Sequence, residues 1–214
     1  MTGPRAVRAG AAAGVTGPAV FTAAWVVSSL RQTGHPAMDL QISGLAAADA
    51  RDPWIMIAGF VVLGGCGVAF GATLQNALGE RDLAGPAPRL IQGAGVLAIA
   101  AGLLRRDHML LTPGSVSWHN HAHDAVSAVI YADLVLAQAL LAGRFGRDEG
   151  EPGWRAWRPW LLACAGVTAG LLAAFATSTS APRAGLLQRA IVTVPLAALA
   201  TVAARLVRTP GTGG

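Results

Sequence analysis

The chain has 214 residues, 53% hydrophobic and 13% charged, with a mean hydropathy of +0.50. A soluble domain carries about 25% charged residues, so a water-soluble core of this length is excluded. The net charge of +5 comes from arginine without a single lysine. Those arginines stand at the ends of apolar blocks, not in a stripe interleaved with aromatics, which excludes nucleic acid as a partner.

Six apolar blocks fall near 11–30, 53–78, 89–106, 119–143, 158–178 and 187–206. A helix needs about 20 residues to cross a hydrocarbon core of about 30 Å. The fold class is therefore all-α: a polytopic membrane bundle of six transmembrane helices. Strands are excluded by the length of the runs and their alanine and leucine content. Residues 1–10 and 207–214 read as cytoplasmic tails around a membrane domain over 11–206.

Arg5 and Arg8 precede the first block and resemble a signal peptide. The apolar run is long and more membrane follows it, so it reads as an uncleaved span. In the loop after it, Met38, Ile42 and Leu45 recur at helical spacing, with Asp39 and Ser43 on another face. This predicts a short amphipathic helix in the interface, its polar face toward the bundle or water.

Asp52 before Pro53 reads as an N-cap with proline at the first helical position of the second span. Gly67 and Gly71 in that span, like Gly166 and Gly170 in the fifth, form GxxxG pairs that let helices approach closely, within the chain or in a homo-oligomer. Cys66 and Cys164 lie inside apolar blocks without a CxxC partner, so they read as packed thiols. The third block is short, Leu90 to Leu104, with Arg89, Arg105 and Arg106 snorkelling at its ends. On this reading Arg105, Arg106 and Asp107 mark only the end of a span.

The fourth block opens on His119, Asn120, His121, His123 and Asp124. His119 and His123 are four apart, a spacing that places two ligands of a divalent metal such as zinc on one helical face. His108, His35 or Asp39 would supply a third ligand, and Asp124 either a ligand or a carboxylate that orients an imidazole. The plain alternative is a polar helix start capped by Ser117, with histidines facing water. Asp133, mid-span, reads either as a neutral acid bonded to Thr168 or Thr193 or as a proton donor in a cavity. In the last block, Arg189 follows Gln188. It would pair with Asp39 or Asp124, bind an anionic headgroup, or simply snorkel.

Tryptophans gather at the expected interfaces: Trp54 and Trp118 on one side, Trp154, Trp157 and Trp160 on the other. With the N-terminus inside, ten arginines lie on the cytoplasmic side and six on the other. This predicts a plasma-membrane protein with both termini cytoplasmic and the histidines outward.

The ordered signals resemble the bacterial six-span family of unknown function DUF 998. The resemblance rests on Asp39 with Ile42-Ser43-Gly44-Leu45-Ala46, on Asp52-Pro53-Trp54-Ile55-Met56, on Arg106-Asp107, on His123-Asp124 and on Gly185-Leu186-Leu187-Gln188-Arg189. It spans roughly residues 15–206, and this chain adds His119 and His121 before the usual histidine. The resemblance implies the six-span topology and a joint importance of Ser43, His123 and Arg189; it brings no established activity.

The convergence of Asp39, Ser43, the histidines and Arg189 at the mouth of an apolar bundle points to a lipid- or isoprenoid-like amphiphile as ligand or substrate. Two chemistries suit such a site. A metal on His119 and His123 would activate water with Asp39 or Asp124 as base. Asp133 or Asp124, held neutral, would start a cyclisation or isomerisation by protonation. A non-catalytic accessory protein and a small transporter with Asp133 as relay stand beside these.

Overall fold

Proline at the first turn of a helix removes only an N–H that has no intrahelical partner, and Pro53 and Pro86 start two of the helices here. The computed structural model describes residues 4–33, 36–78, 85–110, 116–147, 152–177 and 183–208. These contain six long helices and no strand: α1 (Pro4–Arg31), α2 (Pro53–Leu78), α3 (Pro86–Leu103), α4 (Trp118–Arg147), α6 (Arg158–Ala176) and α7 (Ala184–Arg208). A single turn, α5 (Pro152–Arg155), precedes α6.

Five stretches are long and apolar enough to cross a membrane: Arg5–Arg31, Pro53–Ala77, Trp118–Arg147, Gly153–Ala176 and Ala184–Arg208. Their outward faces carry Val27, Val62, Val129, Val167 and Leu186, all exposed. In water this surface would forgo the roughly 25 cal/mol per Å² that burial gives; in lipid it matches the solvent. The chain is a multi-pass membrane protein. Helix α3 is not among the five. At 18 residues it is about 27 Å long.

The helices pack in a ring: α1 on α2, α2 on α3, α3 on α4, α4 on α6, α6 on α7, and α7 back on α1. A lighter α4–α7 contact closes the ring inside α6. Five helices thus surround the centre, and α6 lies across α4 and α7 from outside. The GxxxG pair of α2 works within the chain. A Cβ at Gly71 would meet Gln92 Cγ at 2.6 Å and the Pro88 carbonyl at 2.7 Å on α3. On α6, a Cβ at Gly166 or Gly170 would meet nothing among the described residues outside its own helical turn within 4 Å.

The amphipathic helix expected over Met38–Leu45 is not formed. A turn ends at Asp39, and a 3₁₀ helix follows over Ile42–Ala46, every residue of it buried. It packs against α1, α2 and α7 and plugs the histidine end of the ring. The segment is covered from three sides by helices, so it has no solvent face for Asp39 and Ser43 to share. Trp154 also departs from expectation. It is 7% exposed and stacks on Phe145 at 4.5 Å, so it belongs to the core rather than an interfacial belt. Trp54, Trp118 and Trp160 are exposed as expected.

Candidate functional site

Polar side chains inside an apolar bundle must find partners among themselves, and at the histidine end they converge on Arg106. This residue lies just past α3 and is 2% exposed. Its Nη1 donates to Gln41 Oε1 at 2.9 Å and to Ser43 Oγ at 3.1 Å, and its Nε donates to Asn120 Oδ1 at 3.3 Å. Nη2 faces Asp124 Oδ1 at 3.7 Å. Burial pushes the pKa of Arg106 down, while Asp124 and Asp107 push it back; a guanidinium stays charged throughout. Neighbouring Arg105 donates to the Ala46 and Ala47 carbonyls. The pair expected only to mark a span end therefore fixes the 3₁₀ plug in place.

Ser43 is also held from α7. Gln188 Nε2 donates to Ser43 Oγ at 3.4 Å, and Ser43 N donates to Gln188 Oε1 at 3.4 Å. Arg189, 8% exposed, pairs with neither Asp39 nor Asp124. Its Nη1 donates to the Leu40 carbonyl at 2.8 Å, its Nη2 to Ser29 Oγ at 2.9 Å, and its guanidinium sits 5.2 Å from the Trp25 ring centre. Asp39 instead accepts from the Arg183 backbone N–H at 2.7 Å, tying the plug to the start of α7. Asp52, at the expected helix boundary, directs its carboxylate to Arg31 at 2.6 Å. That partner holds its pKa below the ordinary value.

The start of α4 is capped as expected: Asn120 N donates to Ser117 Oγ at 3.4 Å. Ser117 is itself gripped by Asp107, through Oγ and N, both at 2.7 Å. These bonds hold the Asp107 pKa below the usual carboxylate value. His123 is 2% exposed, and its Nδ1 lies 2.9 Å from both the Ala101 and Leu104 carbonyls at the end of α3. Carbonyls only accept, so Nδ1 carries a proton and the ring's other nitrogen is Nε2.

The structure does not gather the histidines. His119 and His121 are exposed, and His119 lies 3.8 Å from the Trp118 ring, centre to centre. His108 pairs with Asp49 at 3.3 Å. His35 lies outside the described residues. Asp124 binds Arg106 and the Asn120 amide, not an imidazole. Among the described residues, no three His, Cys, Asp or Glu side chains cluster as metal ligands. Asp133 is half-buried beside Gly93 of α3. No hydrogen bond among the described residues joins it to Thr168, whose hydroxyl donates to Cys164 O, or to Thr193, which is exposed.

Below the plug lies a cavity of about 50 Å³ lined by Ser43, His123, Ser127, Tyr131, Gln188 and apolar neighbours. A second, of about 60 Å³, continues toward the other end between Gly14, Phe70, Ile91 and Leu199. The two share Leu63, Ala98, Ile130, Leu134 and Leu196. They form one narrow slot, polar at the histidine end and apolar along its length, inside the five-helix ring. Asp133 does not line it. Sequence reasoning missed Arg106 and Gln41 as site residues. The Arg106-Asp107 pair at a span end was visible, but which loop would fold back over it was not.

The sequence model of a family described as "Protein of unknown function (DUF998)" matches residues 15–205. No curated protein and no solved structure matches the chain.

Proposed function

The chain belongs to the DUF998 family, and from that premise we propose that it is a six-span plasma-membrane protein that binds a single-chain, lipid- or isoprenoid-like amphiphile in its central slot. In this reading α3 is the sixth span. Arg89 at its entry and Arg105 at its exit let its roughly 27 Å reach both interfaces. Both termini are cytoplasmic, as the arginine balance favours, and the plug faces outward.

The observation that carries the reading is the polarity of the slot. Ser43, Ser127, His123 and Gln188 line one end, and the rest is aliphatic and aromatic. A head with hydrogen-bonding oxygens would meet the polar end, and one chain would lie along the ring axis. Cavities of about 50 and 60 Å³ leave no room for a two-chain lipid. Binding fits better than turnover. Ser43 Oγ accepts from Arg106 and Gln188, and among the described residues no hydrogen bond runs from its hydroxyl to a base. Metal-assisted hydrolysis would need His119 to turn inward beside His123. Protonation by Asp133 would need a path to a slot it does not line.

The test is ligand retention. Protein extracted in mild detergent is offered a short-chain isoprenoid alcohol and measured by native mass spectrometry and thermal unfolding. Wild type should retain it with a raised melting temperature. Leu134→Trp, which fills the waist of the slot without touching the polar end, should lose the ligand and stay folded. Equal retention by a folded Leu134→Trp variant rejects the slot as the site.

A further inference from the structure

The outward-lying seam between α1 and α7 holds a charge that no acid among the described residues neutralises. At the histidine end each acid already has a partner. Asp39 accepts from Arg183 N, Asp49 from Met109 N, Asp52 from Arg31, Asp107 from Ser117, and Asp124 from Asn120 beside Arg106. The remaining acids outside the described residues, Glu80, Asp82, Asp148, Glu149 and Glu151, fall in the α2–α3 and α4–α5 connections. Arg189 is left with a carbonyl, a hydroxyl and a ring face as its neighbours.

A buried cation without an anion is costly. A guanidinium offers five N–H donors, and among the described residues only two of its nitrogens have partners, Leu40 O and Ser29 Oγ. A second observation points the same way. The indole Nε1 of Trp25, on the ring that Arg189 covers, is buried without a hydrogen-bond partner among the described residues. One turn on, Ser28 Oγ is buried without one as well. Unmet donors next to an unmet positive charge are what an oxyanion requires. The seam is flanked by Val26, Leu30 and Leu186, all exposed, so it borders the lipid-facing surface near the ends of both helices. A lipid phosphate lies at that level.

We propose that Arg189 and Trp25 form a binding site for a phosphate-type oxyanion, presented by the headgroup of an anionic lipid. Arg189 supplies the charge and a fork of donors, and Trp25 Nε1 supplies one further hydrogen bond. The site lies at the α1–α7 seam, separate from the central slot, and it does not depend on a ligand in that slot.

The experiment uses the full chain in detergent, with thermal unfolding and native mass spectrometry read against phosphatidylglycerol, diacylglycerol and inorganic phosphate. Phosphatidylglycerol should stabilise wild type and remain as a bound adduct, and diacylglycerol, which lacks the phosphate, should do neither. Trp25→Phe keeps the ring face and removes only the N–H. It should weaken phosphatidylglycerol binding about tenfold, and Arg189→Gln should abolish it. If Arg189→Gln does not fold, Trp25→Phe decides. Stabilisation by inorganic phosphate, lost in the same variants, supports the oxyanion site with a free anion as its occupant. Undiminished binding in Trp25→Phe and Arg189→Gln, equal effects of the two lipids, or no response to either anion overturns the proposal.

Discussion

Arg106 Nη1 donates to Ser43 Oγ at 3.1 Å although the residues are 63 positions apart. This bond joins the end of α3 to the 3₁₀ plug, and the same guanidinium reaches Gln41 and, on α4, Asn120. Arg106→Met would remove one donor from each of three polar side chains, although Ser43 keeps Gln188. At about 1 kcal/mol for each lost bond, unfolding in detergent should show a loss of about 3 kcal/mol. Arg106→Lys should recover only part of it, because an ammonium lacks the planar fork. Asp124 is the exposed partner, with its side chain 53% accessible. Asp124→Asn should therefore cost less than about 1 kcal/mol. A larger loss for Asp124→Asn than for Arg106→Met would show that the ion pair, not the neutral bonds, holds the plug.

The plug also depends on two glycines that touch backbone. A Cβ at Gly44 would lie 2.5 Å from the Met109 carbonyl, and one at Gly185 would run into the Leu40 carbonyl. Backbone cannot step aside as a flexible side chain does. Gly44→Ala and Gly185→Ala should each cost about 1–3 kcal/mol. Gly166→Ala on the open face of α6 meets nothing. It should be neutral or stabilising by up to about 1 kcal/mol, the helix-propensity difference. Thermal unfolding of the three variants side by side separates backbone contact from propensity.

Much of this was legible in the sequence. Block lengths gave the long helices, because an apolar run of 18 or more residues has few alternatives in lipid. Ser117 as a cap and the packing role of Gly67 and Gly71 followed from local chemistry. The site was less legible because its partners are remote: Arg106 with Ser43, Gln188 with Ser43, Arg189 with Leu40. Nothing local to Arg106 tells it apart from Arg105, yet one is buried among side chains and the other binds carbonyls. Likewise His119 and His123 share a spacing but not an environment. The end of α3 covers one, and the other lies against exposed Trp118. Helical spacing predicts direction, and burial depends on which element arrives above.

Arg183 has a φ of 71°, a left-handed conformation that costs an ordinary residue about 1 kcal/mol relative to glycine. Its bond to Asp39 uses the backbone N–H, which glycine retains. Arg183→Gly should raise stability by up to about 1 kcal/mol, less the entropy glycine adds to the unfolded chain. Asp39→Ala should lower it by about 1 kcal/mol, the weight of one exposed bond to a charged acceptor. Denaturant midpoints at unchanged slope would show both. If Arg183→Gly destabilises clearly, the arginine side chain has a role that its exposed position hides.

Acid stability follows from Asp107 and Asp52. Both carboxyls have pKa values below the ordinary 3.8, the first through bonds from Ser117 and the second through Arg31. A carboxyl that is more acidic folded than unfolded binds fewer protons in the native state. Its contribution is complete above the unfolded pKa and is lost as pH falls through the folded one. Melting temperature should therefore be flat toward neutral pH on this account and decline below about pH 4. Asp107→Asn should be less stable than wild type near neutrality and converge with it in acid. Ser117→Ala removes the hydroxyl donor but keeps the backbone N–H to Asp107, so its acid decline should be intermediate. Asp52→Asn should add a second, independent flattening, since its partner Arg31 is not shared with Asp107. A melting profile for Asp107→Asn that stays parallel to wild type down to pH 3 would remove Asp107 as the source of the decline.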